Sequence, residues 1–356
     1  MSFSKKDISI EKVKTSKIDQ IDFDNLDFGS VFTDHMLVCD YKNGSWETPK
    51  IMPYQPVVLD PSSKIFHYGQ SIFEGMKAYK DTKGDMFLFR PLENHKRFNT
   101  SAKRLCIPEI PEAYFIEGLK VLLQIDNAFI PQKEGASLYI RPFMFASGNG
   151  FHASPADAYK FIIACAPSGA YFSGKVKVLI EQKYSRSANG GVGFAKAGGN
   201  YAAQFYPTQL AIERGYNQVI WTDDTEHEYI EEAGAMNIFV RINDTLITGP
   251  TSDRILDGIT RKSILELVKD LHMPLEVRKI TVTEVVNAAK EGNLKEMFGA
   301  GTAAVISPIC AFGFKDQDYT LPELKESYAA QLKSAITAIQ YNRTEDFYGW
   351  RVPVEK

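Results

Sequence analysis

The sequence predicts a two-domain protein of mixed α/β architecture, and three observations carry that expectation. At 356 residues the chain exceeds what one hydrophobic core usually supports, so two domains sharing a cleft are expected. Strand-like and helix-like stretches alternate through both halves. Between the halves, Ala166-Pro167-Ser168-Gly169 is a run of turn formers. The expected layout is a leader over 1–28, a small N-terminal α/β domain over 29–167, a connecting loop over 168–175 and a larger C-terminal domain over 176–356.

Each element has a local reason. Lys77 to Tyr79 and Met86 to Phe89 flank Asp81-Thr82-Lys83-Gly84, a polar turn ending in glycine, which predicts a hairpin. From Pro91 to Leu105 the apolar spacing becomes helical, with Phe98, Ala102 and Leu105 on one face and proline in the first turn. Arg97 lies on that helix. The strand Ser137 to Phe143 places Tyr139 and Arg141 on one face, because side chains two apart point the same way. In the second half, Val176 to Ile180 reads as a strand. The segment Asn189 to Tyr201 follows, holding five glycines between Gly190 and Asn200. A helix is expected from Ala202 to Arg214, stopped by Gly215. Strands are expected at Gln218 to Thr222, Ala235 to Ile242 and Thr245 to Thr248. Asp257-Gly258 opens a helix over Thr260 to Leu271, and Thr281 with Glu284 forms a capping box for a helix through Ala289.

Bulk composition narrows the function. A formal charge of −3 and a pI near 6.1 leave no electrostatic footprint for nucleic acid, and no basic amphipathic run points to a membrane surface. The longest apolar runs, such as Phe161 to Ala166, are too short to span a bilayer, and the start of the chain mixes Lys with Asp and Glu as no signal peptide does. Four isolated cysteines, Cys39, Cys106, Cys165 and Cys310, and scattered histidines give no metal-ligand spacing. Chemistry on a small molecule in the cytoplasm is the expectation that remains.

Lys196 stands in the glycine-rich segment. Taken alone it reads as a surface lysine on a flexible loop. Glycine, however, lets backbone approach a ligand closely, and a desolvated lysine is a competent amine nucleophile. Pyridoxal phosphate requires such a lysine, an acid at its ring nitrogen, a donor to its phenolic oxygen and a phosphate cradle. Glu232 is a candidate acid, although it sits in an acidic run with Glu226, Glu228 and Glu231 that equally reads as solvated charge. Tyr201 is close enough in sequence to Lys196 to be the donor. The helix entry at Ile259-Thr260 offers unsatisfied amides, the turn Gly299 to Ala304 offers more amides and the Thr302 hydroxyl, and Arg97 offers a full charge. A rival reading takes Gly299-x-Gly301-x-x-Ala304 as a dinucleotide fingerprint. That motif needs a following helix, yet Val305-Ile306-Ser307-Pro308 reads as a strand ended by proline.

Taken together these segments resemble the branched-chain aminotransferases of pyridoxal-phosphate fold type IV, and in particular their animal-type branch. The resemblance is carried by Val31-Phe32-Thr33-Asp34-His35-Met36, Phe73-Glu74-Gly75-Met76-Lys77-Ala78, Tyr139-Ile140-Arg141-Pro142, Gly198-Gly199-Asn200-Tyr201, Met236-Asn237-Ile238-Phe239-Val240 and Gly301-Thr302-Ala303. It implies the two-domain D-amino-acid-aminotransferase-like fold, with the C-terminal domain binding the cofactor. It implies reversible amino transfer between leucine, isoleucine or valine and 2-oxoglutarate through the pyridoxamine form, by a homodimer. By the same resemblance Lys196 is the catalytic Schiff-base lysine, Glu232 the carboxylate at the pyridine nitrogen, Tyr201 the donor to the phenolic oxygen and Arg97 the phosphate arginine. Ile259, Thr260 and Thr302 close the cradle. The backbone amides of Thr302 and Ala303, with Tyr139, are implied to grip the substrate α-carboxylate, Phe73, Tyr171 and Tyr201 to line an apolar pocket, and Arg141 to meet a second carboxylate. Tyr68 and the loop near Phe151 are implied to serve the neighbouring subunit.

The chain also departs from that pattern. The animal enzymes carry a CxxC pair where this chain has Ala304 and Ser307, so no thiol switch is expected there. Ala235 replaces a threonine three residues after the cofactor glutamate, and the loop Gly148 to His152 differs. D-Amino-acid aminotransferase and aminodeoxychorismate lyase share the lysine and glutamate, but the Tyr139-x-Arg141 pair speaks against both. A non-catalytic relative that keeps the fold is disfavoured by retention of Lys196, Glu232 and Arg97.

Overall fold

The computed structural model describes residues 4–169 and 176–355. The expected connecting loop at 168–175, and Tyr171 with it, falls almost entirely outside them. The described residues divide into two compact units. Unit 1 takes 4–169, 195–198 and 338–355, and unit 2 takes 176–194 and 199–337. Residues of the expected leader, the four around Lys196 and the C-terminal tail thus all pack with unit 1.

Unit 1 is built on a ten-stranded sheet. Its main path runs Ser9–Ile10, Lys50–Pro53, His35–Lys42, Tyr159–Ser168, Ser137–Ala146, Met76–Lys80, Met86–Phe89 and Arg351–Val354. The expected hairpin forms, with Ala78 opposite Leu88. The expected helix also forms, over Pro91–Arg104, and a second one, Glu112–Ile125, was not foreseen. The two helices and the sheet share one core, where the rings of Phe98, Phe115 and Phe161 meet with centroids 5.6–5.7 Å apart. The leader is pinned by polar contacts. Val13 donates its N–H to His35 Nε2, whose Nδ1 is held 2.7 Å from buried Asp126, and Lys17 N–H reaches Asp34.

Unit 2 also contains a ten-stranded sheet. Within it Met236–Ile242, Leu294–Gly301, Val305–Phe314, Val176–Ile180, Gln218–Thr222 and Tyr229–Ala233 pair in that order. The last pairs again with the first, so these six strands close into a ring, which leaves no unpaired edge among them. The expected strands at 176–180, 218–222 and 245–248 form with the bounds given, and the expected helix near 260 runs Ile259–Asp270.

The helix expected over Ala202 to Arg214 needs correction. A short turn of helix, Gly198–Ala202, is followed by a separate helix, Phe205–Glu213. Pro207 explains the break, since proline is tolerated only in the first turn and so forces the helix to start near Phe205. Tyr229–Ala233, a strand hidden by its acidic residues, was also unforeseen.

Truncating Phe98 to Ala removes a ring that is fully buried against two others and should cost about 3–5 kcal/mol. Urea denaturation followed by circular dichroism measures it, and a loss under about 1 kcal/mol would show that this core does not support unit 1.

Candidate active site

In unit 1 the backbone fixes Lys196. Its N–H donates to Ser101 Oγ at 2.9 Å, its carbonyl accepts from the Phe73 N–H at 3.0 Å, and Ala197 bridges to Ile72. The segment 195–198 therefore lies as an added extended stretch beside the strand Ser71–Phe73. A Cβ on Gly198 would lie 2.7 Å from Ser71 Oγ, so a side chain there would make that hydroxyl turn away. The half-buried Lys196 side chain places Nζ over the Phe73 ring, 4.6 Å from its centroid.

Glu74, the next residue after Phe73, is completely buried. Arg97 Nε donates to its Oε1 at 2.7 Å and Arg97 Nη2 to its Oε2 at 2.9 Å, while Asn94 and the Gly75 N–H add two further bonds to Oε2. Burial alone pushes this carboxyl up. The Arg97 charge and its hydrogen bonds, with help from Lys196 and Asn94, outweigh burial and hold it below the usual carboxylate range. Ser101 links the two features, since its hydroxyl also donates to the Arg97 carbonyl.

Tyr139 and Arg141 stand on one face of Ser137–Ala146 as expected. Arg141 Nη2 donates to the Tyr139 hydroxyl at 3.0 Å, and the guanidinium lies over the Phe73 ring at 4.7 Å. A Cβ on Gly75 would lie 2.3 Å from the Tyr139 hydroxyl, so glycine is what lets the phenol come this close. Arg141 Nε is buried with no hydrogen-bond partner, a donor that a bound anion could satisfy. Lys196, Arg97, Phe73, Tyr139 and Arg141 are thus brought into one cluster around Phe73 and Glu74. Tyr68 is not in it. It is exposed, and its hydroxyl donates to the Phe151 carbonyl.

Unit 2 gathers a second cluster around Glu232, which is 2% exposed and not the solvated charge that its acidic neighbours imply. Adjacent acids of one strand diverge because successive side chains point to opposite faces, and the ladder also slips at this place. Trp221 pairs with Glu232 and Thr222 with Ile230, so Glu231 is skipped. Glu231 meets Arg254 at 2.5 Å, whereas Glu232 meets Arg186 at 2.8 Å. Glu232 Oε1 accepts from the Leu256 N–H at 2.9 Å and from Asn237 Nδ2 at 3.3 Å. Asn237 sits directly across the ladder from Glu232 and also donates to the Leu256 carbonyl. Its Oδ1 would be 1.9 Å from a Cβ on Gly258, the residue that caps the helix Ile259–Asp270. The carboxylate and that helix entry, with Ile259 and Thr260 buried in its first turn, are therefore tied through Asn237. Tyr201 is half-buried in the turn Gly198–Ala202.

Thr302 and Ala303 form the turn between strands that pair through Gly301 and Val305. Val305 has φ +61°, a strained conformation for a β-branched residue. No helix follows Gly301, so the dinucleotide reading of this turn falls. Sequence reasoning missed the roles of Glu74, Asn237 and Arg186. The first two lie inside segments already singled out, but Arg186 carries no periodic or motif signal. Among the described residues no cluster of three or more His, Cys, Asp or Glu could hold a metal ion, and no helix is long and apolar enough to cross a membrane.

Residues 71–312 match the family model for class IV amino-transferases. The chain belongs to the class IV aminotransferase family. A Staphylococcus epidermidis protein named as a probable branched-chain-amino-acid aminotransferase is 44% identical to this family member, covering 97% of this chain and 99% of the relative. Branched-chain-amino-acid aminotransferase 2 of Bacillus subtilis is 42% identical over 99% and 98% of the two chains. Among solved structures, the branched-chain amino acid aminotransferase from Escherichia coli superposes with a TM-score of 0.72 at 25% identity, over 91% of this chain and 99% of that one. The mixed α/β class read from the sequence and the type IV aminotransferase fold agree with these comparisons.

The buried Glu74–Arg97 pair makes this aminotransferase's stability depend on acid pH. A carboxylate held below its ordinary value contributes stability that is present above about pH 4.3 and lost as the pH falls through the folded value. Glu74→Gln should cost about 3–5 kcal/mol at neutral pH, because it leaves Arg97 without its counter-charge. The gap between native and variant urea midpoints should hold at neutral pH and close over the acid range below about pH 4.3. A gap that stays constant over that range would contradict this assignment.

Proposed function

We propose that the chain transfers the amino group of L-leucine, L-isoleucine or L-valine reversibly to 2-oxoglutarate, with pyridoxal 5'-phosphate as cofactor. The observation that carries the proposal is Lys196, fixed by its own backbone beside a buried carboxylate–guanidinium pair in a chain alike over its whole length to named branched-chain aminotransferases. The donor set fits the cofactor: an anchored amine, a guanidinium for a phosphate, a helix entry with buried Ile259 and Thr260, and a buried carboxylate with its own donors. When bound, the cofactor supplies an aldehyde that condenses with amines and a ring that accepts the electron pair left when Cα loses its proton.

The chain's own residues do the rest. Lys196 holds the cofactor between turnovers, gives way to the substrate amine, and with Nζ then free takes the proton from the substrate Cα. Glu232 keeps a negative charge at the ring nitrogen, and Tyr201 donates to the phenolic oxygen. Arg97, oriented by Glu74, is the cation that meets the phosphate, and Ile259, Thr260 and Thr302 complete the cradle. The amides of Thr302 and Ala303 and the Tyr139 hydroxyl hold the α-carboxylate. Phe73 and Tyr201, with Tyr171 outside the described residues, line the side-chain pocket. The stacking of Arg141 on Phe73 explains dual specificity, because the ring offers an apolar wall to leucine and the guanidinium a charge to glutamate. Discrimination among the three aliphatic substrates is modest, since one methylene is worth about 1–3 kcal/mol.

The working form in this reading is a cytoplasmic homodimer. Phe66, Tyr68 and Phe151 are exposed large hydrophobic side chains, as suits a surface that meets a second copy and completes its pocket.

Visible absorbance of the cofactor-loaded protein tests the reading. L-Leucine should bleach the band, D-alanine should leave it, and 2-oxoglutarate should restore it after leucine. Bleaching by D-alanine alone would remove the substrate assignment.

A further inference from the structure

Arg186 has no part in the reaction as described, yet three features of unit 2 meet on it. The side chain is 3% exposed. Its Nε lies 2.8 Å from Glu232 Oε2 without the alignment of a hydrogen bond, so that contact is between charges. Nη1 donates to the Arg254 carbonyl at 2.7 Å, and both Nη1 and Nη2 reach the Gly193 carbonyl, at 3.4 and 3.3 Å. Those carbonyls belong to two different loops. Gly193 lies in the glycine-rich stretch, three residues before Lys196. Arg254 opens the loop whose Leu256 N–H binds Glu232 and whose Gly258 caps the helix Ile259–Asp270. A Cβ on Gly193 would lie 2.6 Å from the Arg254 carbonyl oxygen, so the two loops touch backbone to backbone and the guanidinium bridges them.

We propose that Arg186 is a positioning residue for amino transfer: it holds the Glu232 carboxylate in place and in its charged form, and locks to it the loops that lead to Lys196 and to the phosphate-binding helix entry. The inference rests on the reading of Glu232 given above. A carboxylate this buried is kept ionised by charge and by hydrogen bonds. The hydrogen bonds it accepts from the Leu256 N–H and from Asn237 come from neutral groups, and Arg186 brings a cation to it. Arginine suits the place where lysine would not, because one planar head must meet a carboxylate and two separate carbonyls at once.

A double-mutant cycle on the full-length chain tests this. Arg186→Met, Glu232→Gln and the double variant are compared for the dissociation constant of pyridoxal 5'-phosphate, read by quenching of tryptophan fluorescence, and for kcat and KM with L-leucine. Arg186→Met should weaken cofactor affinity and lower kcat by about tenfold each when Glu232 is present, and change both by less than about twofold when Glu232 is already Gln. KM should move by less than about twofold, and Arg186→Lys should recover part of the loss. Equal losses in both backgrounds overturn the proposal, since they would mean that Arg186 only supports the loops. If Arg186→Met does not fold, the same cycle run with Arg186→Lys decides by the same criterion, with a loss of about threefold expected. If Glu232→Gln alone leaves affinity and kcat at native values, the reading of Glu232 itself fails and this inference with it.

Discussion

An amine that must meet a ligand in a defined place cannot hang from a free loop, and the backbone bonds of 195–198 remove that freedom. Ser101 Oγ, the Phe73 N–H and the bridge from Ile72 to Ala197 hold the segment at three consecutive points. Each anchor is itself set by regular structure. Ser101 sits on the helix Pro91–Arg104, whose earlier turn carries Arg97, and Phe73 ends a strand paired with Ser137–Ala146, which carries Tyr139 and Arg141. The position of Lys196 thus follows from the packing of one helix on one sheet, and a change in either would move the amine, the guanidinium and the phenol together.

Both clusters contain a buried acid paired with a guanidinium, Glu74 with Arg97 and Glu232 with Arg186. Buried ion pairs are poor sources of net stability, because desolvation offsets most of the Coulombic gain. What they provide is a fixed place for charge. Glu74 takes the Nε–Nη2 edge of Arg97 and so orients the guanidinium, while Glu232 is oriented by a backbone amide, a side-chain amide and a cation. Glu231 and Glu232 reach different arginines because consecutive side chains of a strand point to opposite faces.

Much of this was legible in the sequence wherever one residue type dominates the local physics. Glycine content marked the segment around Lys196, and Asp81 to Gly84 marked the hairpin. Period-two spacing put Tyr139 and Arg141 together. The strand Tyr229–Ala233 was not legible, because its acids are poor strand formers and it exists through pairing on both sides, a tertiary effect that overrides local preference. Arg351–Val354 likewise becomes a strand only by joining Met86–Phe89 from the far end of the chain. Glu74 with Arg97 and Glu232 with Arg186 are pairs 23 and 46 residues apart, and single-sequence periodicity carries no information about such partners. Pro207 was visible and could have placed the start of its helix correctly.

The central claim is that Lys196 is the residue which holds the cofactor, and covalent trapping tests it most directly. The cofactor-loaded protein is treated with borohydride, digested and mapped by mass spectrometry. The account predicts a pyridoxyl group on the peptide that contains Lys196 and on no other lysine. A label on a different lysine, or none on a protein that retains its visible absorbance, would contradict it.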